Sequence, residues 1–192
     1  MNIKRLLRNA VLDIRYGGKF LGGTIPTLYA HHGARNTANT DYAALPYIFR
    51  DEIKEDDILV DVGCGKGRVI NWWLSRGYKN RIIGIELDPK VAEFTRNRLK
   101  KYKNVIIITG SALEHFPSEA TVVYLFNPFD EIKMINFRDL IKRNGKPVRI
   151  FYYNCVHVGV FNNDSQWDVR DVYTPFHRLV IMKNSIHENM NS

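Results

Sequence analysis

The residues best suited to chemistry stand in one short segment. An apolar run over residues 58–60 leads to Asp61, and glycines follow at positions 63, 65 and 67. Glycine has no Cβ and adopts positive φ without strain, so Gly63 and Gly65 let the backbone lie close to a ligand. The apolar pattern from Val69 onward predicts a helix whose free N–H groups point at the same turn. The segment therefore predicts a strand, a tight loop and a helix that hold a nucleotide-type cofactor.

The spacing of the glycines indicates which class of cofactor the loop can bind. A dinucleotide fingerprint needs its third glycine at position 68, where this chain has Arg68. A phosphate-binding P-loop needs the string G-x-x-x-x-G-K-[ST], which does not occur. The remaining pattern, D-x-G-x-G-x-G, resembles motif I of the class I S-adenosylmethionine-dependent methyltransferases. The residues alone also leave open a tight turn that binds no ligand.

The resemblance implies a binding site for S-adenosyl-L-methionine, with S-adenosyl-L-homocysteine as the product. In that family the acid matched by Asp61 lies near the methionine amino group, and the glycines hold the carboxypropyl arm. The acid matched by Glu86 binds the ribose, and its two oxygens suit two vicinal hydroxyls. Ser111 stands where the family usually has an acid that contacts adenine, so the chain departs from the pattern there. The implied cofactor contacts are Asp61, Gly63, Cys64, Gly65, Gly67, Glu86, Leu87, Ser111, Ala112 and Asn127.

A second motif follows the fourth predicted strand. Phe126-Asn127-Pro128-Phe129 resembles, one proline short, the Asn-Pro-Pro-Tyr/Phe signature of amino-group methyltransferases, and it is similar to small bacterial methyltransferase-domain proteins with an F-N-P-F motif. In the amino-group enzymes the Asn oxygen accepts a hydrogen bond from the target amine, which makes Asn127 the predicted catalytic residue. The alternative is that Asn127 caps the next helix and Phe129 packs in the core. The predicted substrate contacts are Phe129, Tyr42, His31, His32 and Asn154.

Alternating strand and helix patterns position these motifs. The predicted strands cover residues 58–63, 81–86, 105–109, 121–126 and 148–153, and the predicted helices cover 66–76, 89–102, a short segment near 113, and 130–143. This alternation indicates a parallel sheet with helices on both faces. Residues 167–173 and 176–182 then predict a hairpin. Because the family ends in such a hairpin, the resemblance implies a doubly wound seven-stranded mixed sheet, the Rossmann-like methyltransferase fold with an antiparallel seventh strand.

The 192 residues fit one α/β domain with additions. We predict an N-terminal helix and loop extension over residues 1–40, a methyltransferase domain over 41–183 and a disordered tail over 184–192. Apolar side chains recur at helical spacing from Ile3 to Ile14 among basic ones, which predicts a basic amphipathic first helix. Packing at the domain edge and contact with a membrane surface are both open for this helix.

The composition limits where the protein is expected to be located and which cofactors and partners it is expected to bind. No run approaches the roughly 18 apolar residues of a membrane span, and the first residues lack the apolar core of a signal peptide. Cys64 and Cys155 have no metal-ligand spacing, so we expect free thiols in a reducing compartment, a cytoplasmic location and no metal. The formal net charge of +8 favours anionic partners, nucleic acid among them.

Together these features predict a methyltransferase that uses S-adenosylmethionine, with an amino group among the candidate acceptors. The sequence identifies neither the acceptor nor the oligomeric state. A nucleic-acid amino-methyltransferase is one alternative, and a noncatalytic binding module on the same scaffold is another. Asp61 and Glu86 argue against the second, because a scaffold needs neither acid.

Overall fold

Seven strands form one sheet in the computed structural model, which describes residues 3–23, 39–50, 53–162 and 164–184. The strands are β1 (Ile58–Val62), β2 (Arg81–Glu86), β3 (Val105–Thr109), β4 (Val122–Phe126), β5 (Arg149–Tyr153), β6 (Trp167–Val172) and β7 (Leu179–Asn184). The helices are α1 (Ile3–Gly17), α2 (Leu45–Phe49), α3 (Arg68–Ser75), α4 (Pro89–Leu99), α5 (Ala112–His115), α6 (Glu131–Asn144) and α7 (Gly159–Asn162).

The strand order is β3-β2-β1-β4-β5-β7-β6, with β7 antiparallel to both of its neighbours. The first five strands are parallel to one another. The predicted seven-stranded mixed sheet and its terminal hairpin are thus confirmed. The predicted helix start at residue 66 shifts to Arg68, because Gly67 takes a left-handed φ of 74° immediately before it.

Apolar side chains cover both faces of the sheet, as a parallel sheet between two helical layers requires. On one face Tyr124 and Phe151 join Phe49 and Trp73 from the helices in one buried cluster. On the other face the strands pack against α6 and α7, with Phe137 at the centre. Because helices cover both faces, a ligand can reach the described part of the sheet at the strand ends.

The carboxyl ends of β1, β2 and β4 meet at one edge. Val62 is paired with Ile85 of β2 and with Leu125 of β4. The residues that follow these positions, Gly63, Glu86 and Asn127, therefore lie at the same edge. Ligands in open α/β sheets bind at this edge, where the strand order reverses.

The first helix is amphipathic as predicted, but it packs through its polar side. Asn9, Asp13 and Gly17 are the buried residues of α1, which contacts α3. Ile3, Leu7, Val11 and Ile14 face solvent, whereas Leu12 packs against the core cluster. The physical reason is a buried ion pair described below.

The predicted division at residues 40/41 and 183/184 stays a prediction. Asn184 is the last residue of β7, and its side-chain oxygen accepts a hydrogen bond from the Val148 N–H at 2.6 Å. The rest of the predicted tail, 185–192, lies outside the described residues. Within the described ranges, no helix is long and apolar enough to cross a membrane.

Candidate functional site

The glycine loop after β1 is held in a conformation that only glycine adopts freely. Gly63, Gly65 and Gly67 have φ values of 72°, 51° and 74°. The N–H groups of Gly63 and Cys64 both donate to the Ile85 carbonyl, at 2.8 and 3.0 Å. A Cβ on Gly67 would lie 2.9 Å from the Thr95 side chain. The loop is therefore pinned against β2 and α4 and leaves no room for side chains on that side.

Glu86 connects this loop to the start of α4. Its Oε2 accepts from the Gly65 N–H at 2.8 Å, and its Oε1 accepts from the Asp88 N–H at 2.9 Å. Burial raises the pKa of Glu86, and these backbone donors offset part of that rise. Each carboxylate oxygen can accept a second hydrogen bond, so two hydroxyl groups of a ligand can still be bound. Asp88 itself caps α4, as its position before Pro89 predicts.

Asp61 is a buried acid that lacks a partner for one of its oxygens. It is 3% exposed, and its Oδ2 has no hydrogen bond among the described residues. Burial raises the pKa of Asp61 to about 8, and the nearby negative charge of Glu86 adds to the rise. Buried polar atoms are almost always hydrogen-bonded, so an unpaired carboxylate oxygen beside a glycine loop fits a site for a cationic ligand group.

Asn127 has a second unpaired buried atom at the same edge. Its Nδ2 has no partner among the described residues, although its Oδ1 accepts from the Tyr152 hydroxyl at 3.0 Å. That hydroxyl in turn accepts from the His157 N–H at 3.2 Å. The backbone of Asn127 is left-handed, with φ of 46°. The site thus offers an unpaired acceptor on Asp61 and an unpaired donor on Asn127, and the first of these suits a ligand that carries an ammonium group.

The proposal that Asn127 caps the following helix is wrong. Asp130 is the N-cap of α6, and its Oδ1 accepts from the Lys133 N–H at 2.8 Å. The predicted role for Asn127, in which its oxygen accepts from a substrate amine, stays a prediction. Tyr152 uses one of the two lone pairs of that oxygen, and the other can still accept a hydrogen bond. The side-chain Nδ2 adds a donor group that has no partner among the described residues.

The remaining predicted cofactor contacts line the same edge. Ser111 caps α5 by accepting from the Leu113 N–H at 3.2 Å, and Ala112 is the first residue of that helix. Leu87 follows Glu86 directly and is half-buried. Cys64 is buried beside Gly84, where a Cβ would lie 2.8 Å from its sulfur. Burial raises the pKa of the Cys64 thiol well above its usual value, so Cys64 is not an activated nucleophile.

Two predicted substrate contacts are core residues instead. Phe129 is 8% exposed and packs against Phe137 with ring centroids 5.3 Å apart. Tyr42 is 1% exposed, and its hydroxyl donates to Asp13 at 3.0 Å. Asn154 follows β5 at the carboxyl edge, half-buried with φ of 53°. The predicted contacts His31 and His32 lie outside the described residues. Among the described residues, no group of His, Cys, Asp or Glu could hold a metal ion.

A buried ion pair behind the glycine loop was not predicted. The guanidinium of Arg68 donates two hydrogen bonds to Asp13, at 3.0 and 2.6 Å. Leu21 N–H also donates to Asp13, at 3.0 Å, and Lys66 donates to the carbonyls of Gly22 and Gly23. These bonds fix α1 and the segment after it against the start of α3. The signal in the sequence is that Asp13 is the only acid in an otherwise basic predicted helix.

Residues 59–145 match the family described as "Methyltransferase domain". This stretch of the chain is similar to methyltransferase domains. The chain is 34% identical over 64 residues to the ribosomal RNA small subunit methyltransferase A of Syntrophus aciditrophicus, covering 33% of this chain and 22% of that protein. It is 33% identical over 78 residues to a protein-lysine N-methyltransferase of Saccharolobus islandicus, covering 39% of this chain and 48% of that protein. The chain thus spans less than half the length of these curated relatives.

Solved structures agree with the fold of this chain. An RNA methyltransferase from Salinibacter ruber, solved with S-adenosyl-L-homocysteine, has a TM-score of 0.58 at 24% identity over 80% of this chain and 96% of that chain. Cofactor-bound Rv0187 from MTB has a TM-score of 0.62 at 17% identity over 96% and 98% of the two chains. Sequence identities this low show a shared fold and nothing further. The predicted class I architecture is therefore confirmed. The roles of individual site residues stay predictions.

Proposed function

We propose that this protein is a methyltransferase that transfers a methyl group from S-adenosylmethionine to an acceptor. The observation that carries the proposal is the unpaired, buried Asp61 carboxyl beside the pinned glycine loop, within a domain that matches the methyltransferase family. When bound, the cofactor supplies an electrophilic methyl group on a sulfonium. A noncatalytic scaffold would gain nothing from an unpaired buried acid, which destabilises the protein by itself.

The chain's own residues have separate tasks in this proposal. The Asp61 carboxylate binds the ammonium group of the cofactor. The side-chain Nδ2 of Asn127 donates to a hydrogen-bond acceptor nearby. Glu86 holds the loop through Gly65 and binds the ribose hydroxyls with its remaining lone pairs. Closed packing behind the loop excludes water and fixes these groups before binding, so positioning supplies most of the catalytic effect.

Calorimetry with S-adenosylhomocysteine tests the proposal and the role of Glu86. Replacing Glu86 by Ala removes acceptors for the ribose and for the Gly65 N–H, and we expect a loss of about 1–3 kcal/mol in binding, roughly five- to 150-fold in Kd. Glu93→Ala is the matched control, because Glu93 is an exposed carboxylate on α4 and should leave Kd unchanged. If the unaltered protein does not bind S-adenosylhomocysteine, the assignment of the cofactor fails.

Asn127 is proposed to act in transfer more than in cofactor affinity. We expect Asn127→Ala to keep S-adenosylhomocysteine binding within about threefold and to reduce turnover by roughly tenfold to a hundredfold, the effect of one or two lost hydrogen bonds. Turnover is measured on an acceptor found by screening with labelled cofactor. Tyr152→Phe is a second variant, because it removes the hydroxyl on the Asn127 oxygen. Full turnover in Asn127→Ala would contradict the role.

A nucleic-acid amino group is one candidate for the methyl acceptor. The net charge of +8 favours it, and so does the similarity of the domain to ribosomal RNA methyltransferases. A protein-lysine acceptor has support of the same kind. Phosphate contacts release counterions, so RNA binding in a gel-shift titration should weaken steeply as salt rises. Labelled cofactor incubated with RNA, and separately with protein, then distinguishes the two. Absence of RNA binding at low salt removes this candidate.

A further inference from the structure

Helix α1 presents an apolar stripe to solvent on the side away from the sheet. Ile3, Leu7, Val11 and Ile14 are 66%, 59%, 61% and 55% exposed. Their spacing of four, four and three residues keeps all of them on one side of a helix. Single exposed apolar residues are ordinary, but four along one helix form a continuous patch, which marks an interaction surface.

The outward direction of this stripe is fixed by the interior of the protein. A neighbouring face of α1, about a third of a turn from the stripe at 3.6 residues per turn, contains Asp13, which is fully buried and paired to Arg68 through two hydrogen bonds. Nearer the start of the helix, Asn9 Nδ2 donates to Asp41 at 3.0 Å. These bonds set the rotation of α1 about its axis. The stripe therefore cannot turn inward without breaking a buried ion pair.

Basic side chains lie along one border of the stripe. At 3.6 residues per turn, Lys4, Arg8 and Arg15 fall on the same side of it. In the part of the chain that the structure describes, Arg8 and Arg15 have no acidic partner.

We propose that α1 docks this protein on an anionic lipid surface. The stripe of Ile3, Leu7, Val11 and Ile14 enters the boundary between headgroups and acyl chains, and the basic border of Lys4, Arg8 and Arg15 meets the lipid phosphates. An apolar stripe beside a basic border is the arrangement of helices that lie in the membrane interface. Two other occupants fit this surface less well. A second copy of the chain would bring two basic borders together, and a nucleic acid would leave the apolar stripe in water.

Vesicle flotation of the full chain tests this docking surface. We expect binding to vesicles of phosphatidylcholine with about a third phosphatidylglycerol, and little binding to phosphatidylcholine alone, because each basic residue near an anionic surface adds affinity. Leu7→Glu combined with Val11→Glu should reduce binding about tenfold or more, since it places charge in the apolar boundary. Ile132→Glu is the matched control, because Ile132 is an apolar side chain on α6 that is 73% exposed. It should bind vesicles like the unaltered protein.

The arginines provide an independent arm of the test. Arg8→Ala and Arg15→Ala should each lower binding to the anionic vesicles about fivefold, and higher salt should diminish that difference. Circular dichroism and thermal melting confirm that each variant is folded. Equal binding by the stripe variant and the unaltered protein overturns the proposal, as does absence of binding to anionic vesicles. A dimer in size-exclusion chromatography that the stripe variant abolishes would also overturn it, in favour of self-association.

Discussion

Replacing Asp13 by Ala lowers the free energy of unfolding by about 3–5 kcal/mol, the cost of leaving one member of a buried ion pair without its partner. The side chains of Asp13 and Arg68 are 0% and 8% exposed, so water cannot compensate the guanidinium. The variant also removes the acceptor for the Leu21 N–H and the Tyr42 hydroxyl. Urea unfolding followed by tryptophan fluorescence measures the loss, because Trp72 and Trp73 lie on the helix that contacts α1.

The chain provides a control with the same hydrogen-bond geometry at the surface. Arg178 donates two hydrogen bonds to Asp171, at 2.7 and 2.8 Å, and both side chains are more than half exposed. Exposed pairs of this kind contribute about 0–1 kcal/mol, so Asp171→Ala should change stability little. Equal losses in the two variants would contradict the assignment of α1 as an anchored part of the protein.

The elements that could be predicted are those encoded by local patterns. β2 and β3 have the predicted bounds, because their apolar runs are bordered by turn residues on both sides. Asp88 and Pro89 predict the start of α4, since a cap and a first-turn proline act within a few residues. The glycine loop is likewise local, and its positive φ angles follow from its composition.

The elements that could not be predicted depend on contacts between distant parts of the chain. The apolar side of α1 faces solvent because Asp13 forms an ion pair with Arg68, which is 55 residues away in the sequence. Tyr42 lies in the interior because the same acid accepts its hydroxyl. The Asn127 oxygen keeps one of its two acceptor positions because β5 places Tyr152 beside the other. A motif predicts which residues stand near the site, but tertiary neighbours decide which of their atoms are free.

The unpaired acid at the centre of the site predicts a stability that falls as pH rises. Burial raises the pKa of Asp61 to about 8, against 3.8 in the unfolded chain. Between those values the folded protein keeps a proton that the unfolded chain has released, so the folded state loses stability with rising pH and the loss is complete above about pH 8. At about 1.4 kcal/mol for each pKa unit, the loss amounts to several kcal/mol. Asp61→Asn has no proton to lose, so urea unfolding should show it more stable than the unaltered protein at about pH 9 and nearly equal at about pH 4.

The same acid predicts that cofactor binding releases a proton. If Asp61 receives the ammonium, the bound state favours the ionised carboxylate, so a carboxyl that is protonated near neutral pH must lose its proton on binding. Calorimetry with S-adenosylhomocysteine at about pH 7, in two buffers with different ionisation enthalpies, should show close to one proton released. Asp61→Asn should bind more weakly and release none. A binding enthalpy that is the same in both buffers would mean that Asp61 is already ionised or lies away from the ammonium. Equal affinity of Asp61→Asn and the unaltered protein would remove Asp61 from the binding site, because a lost charge-assisted hydrogen bond costs about 1.5–3 kcal/mol.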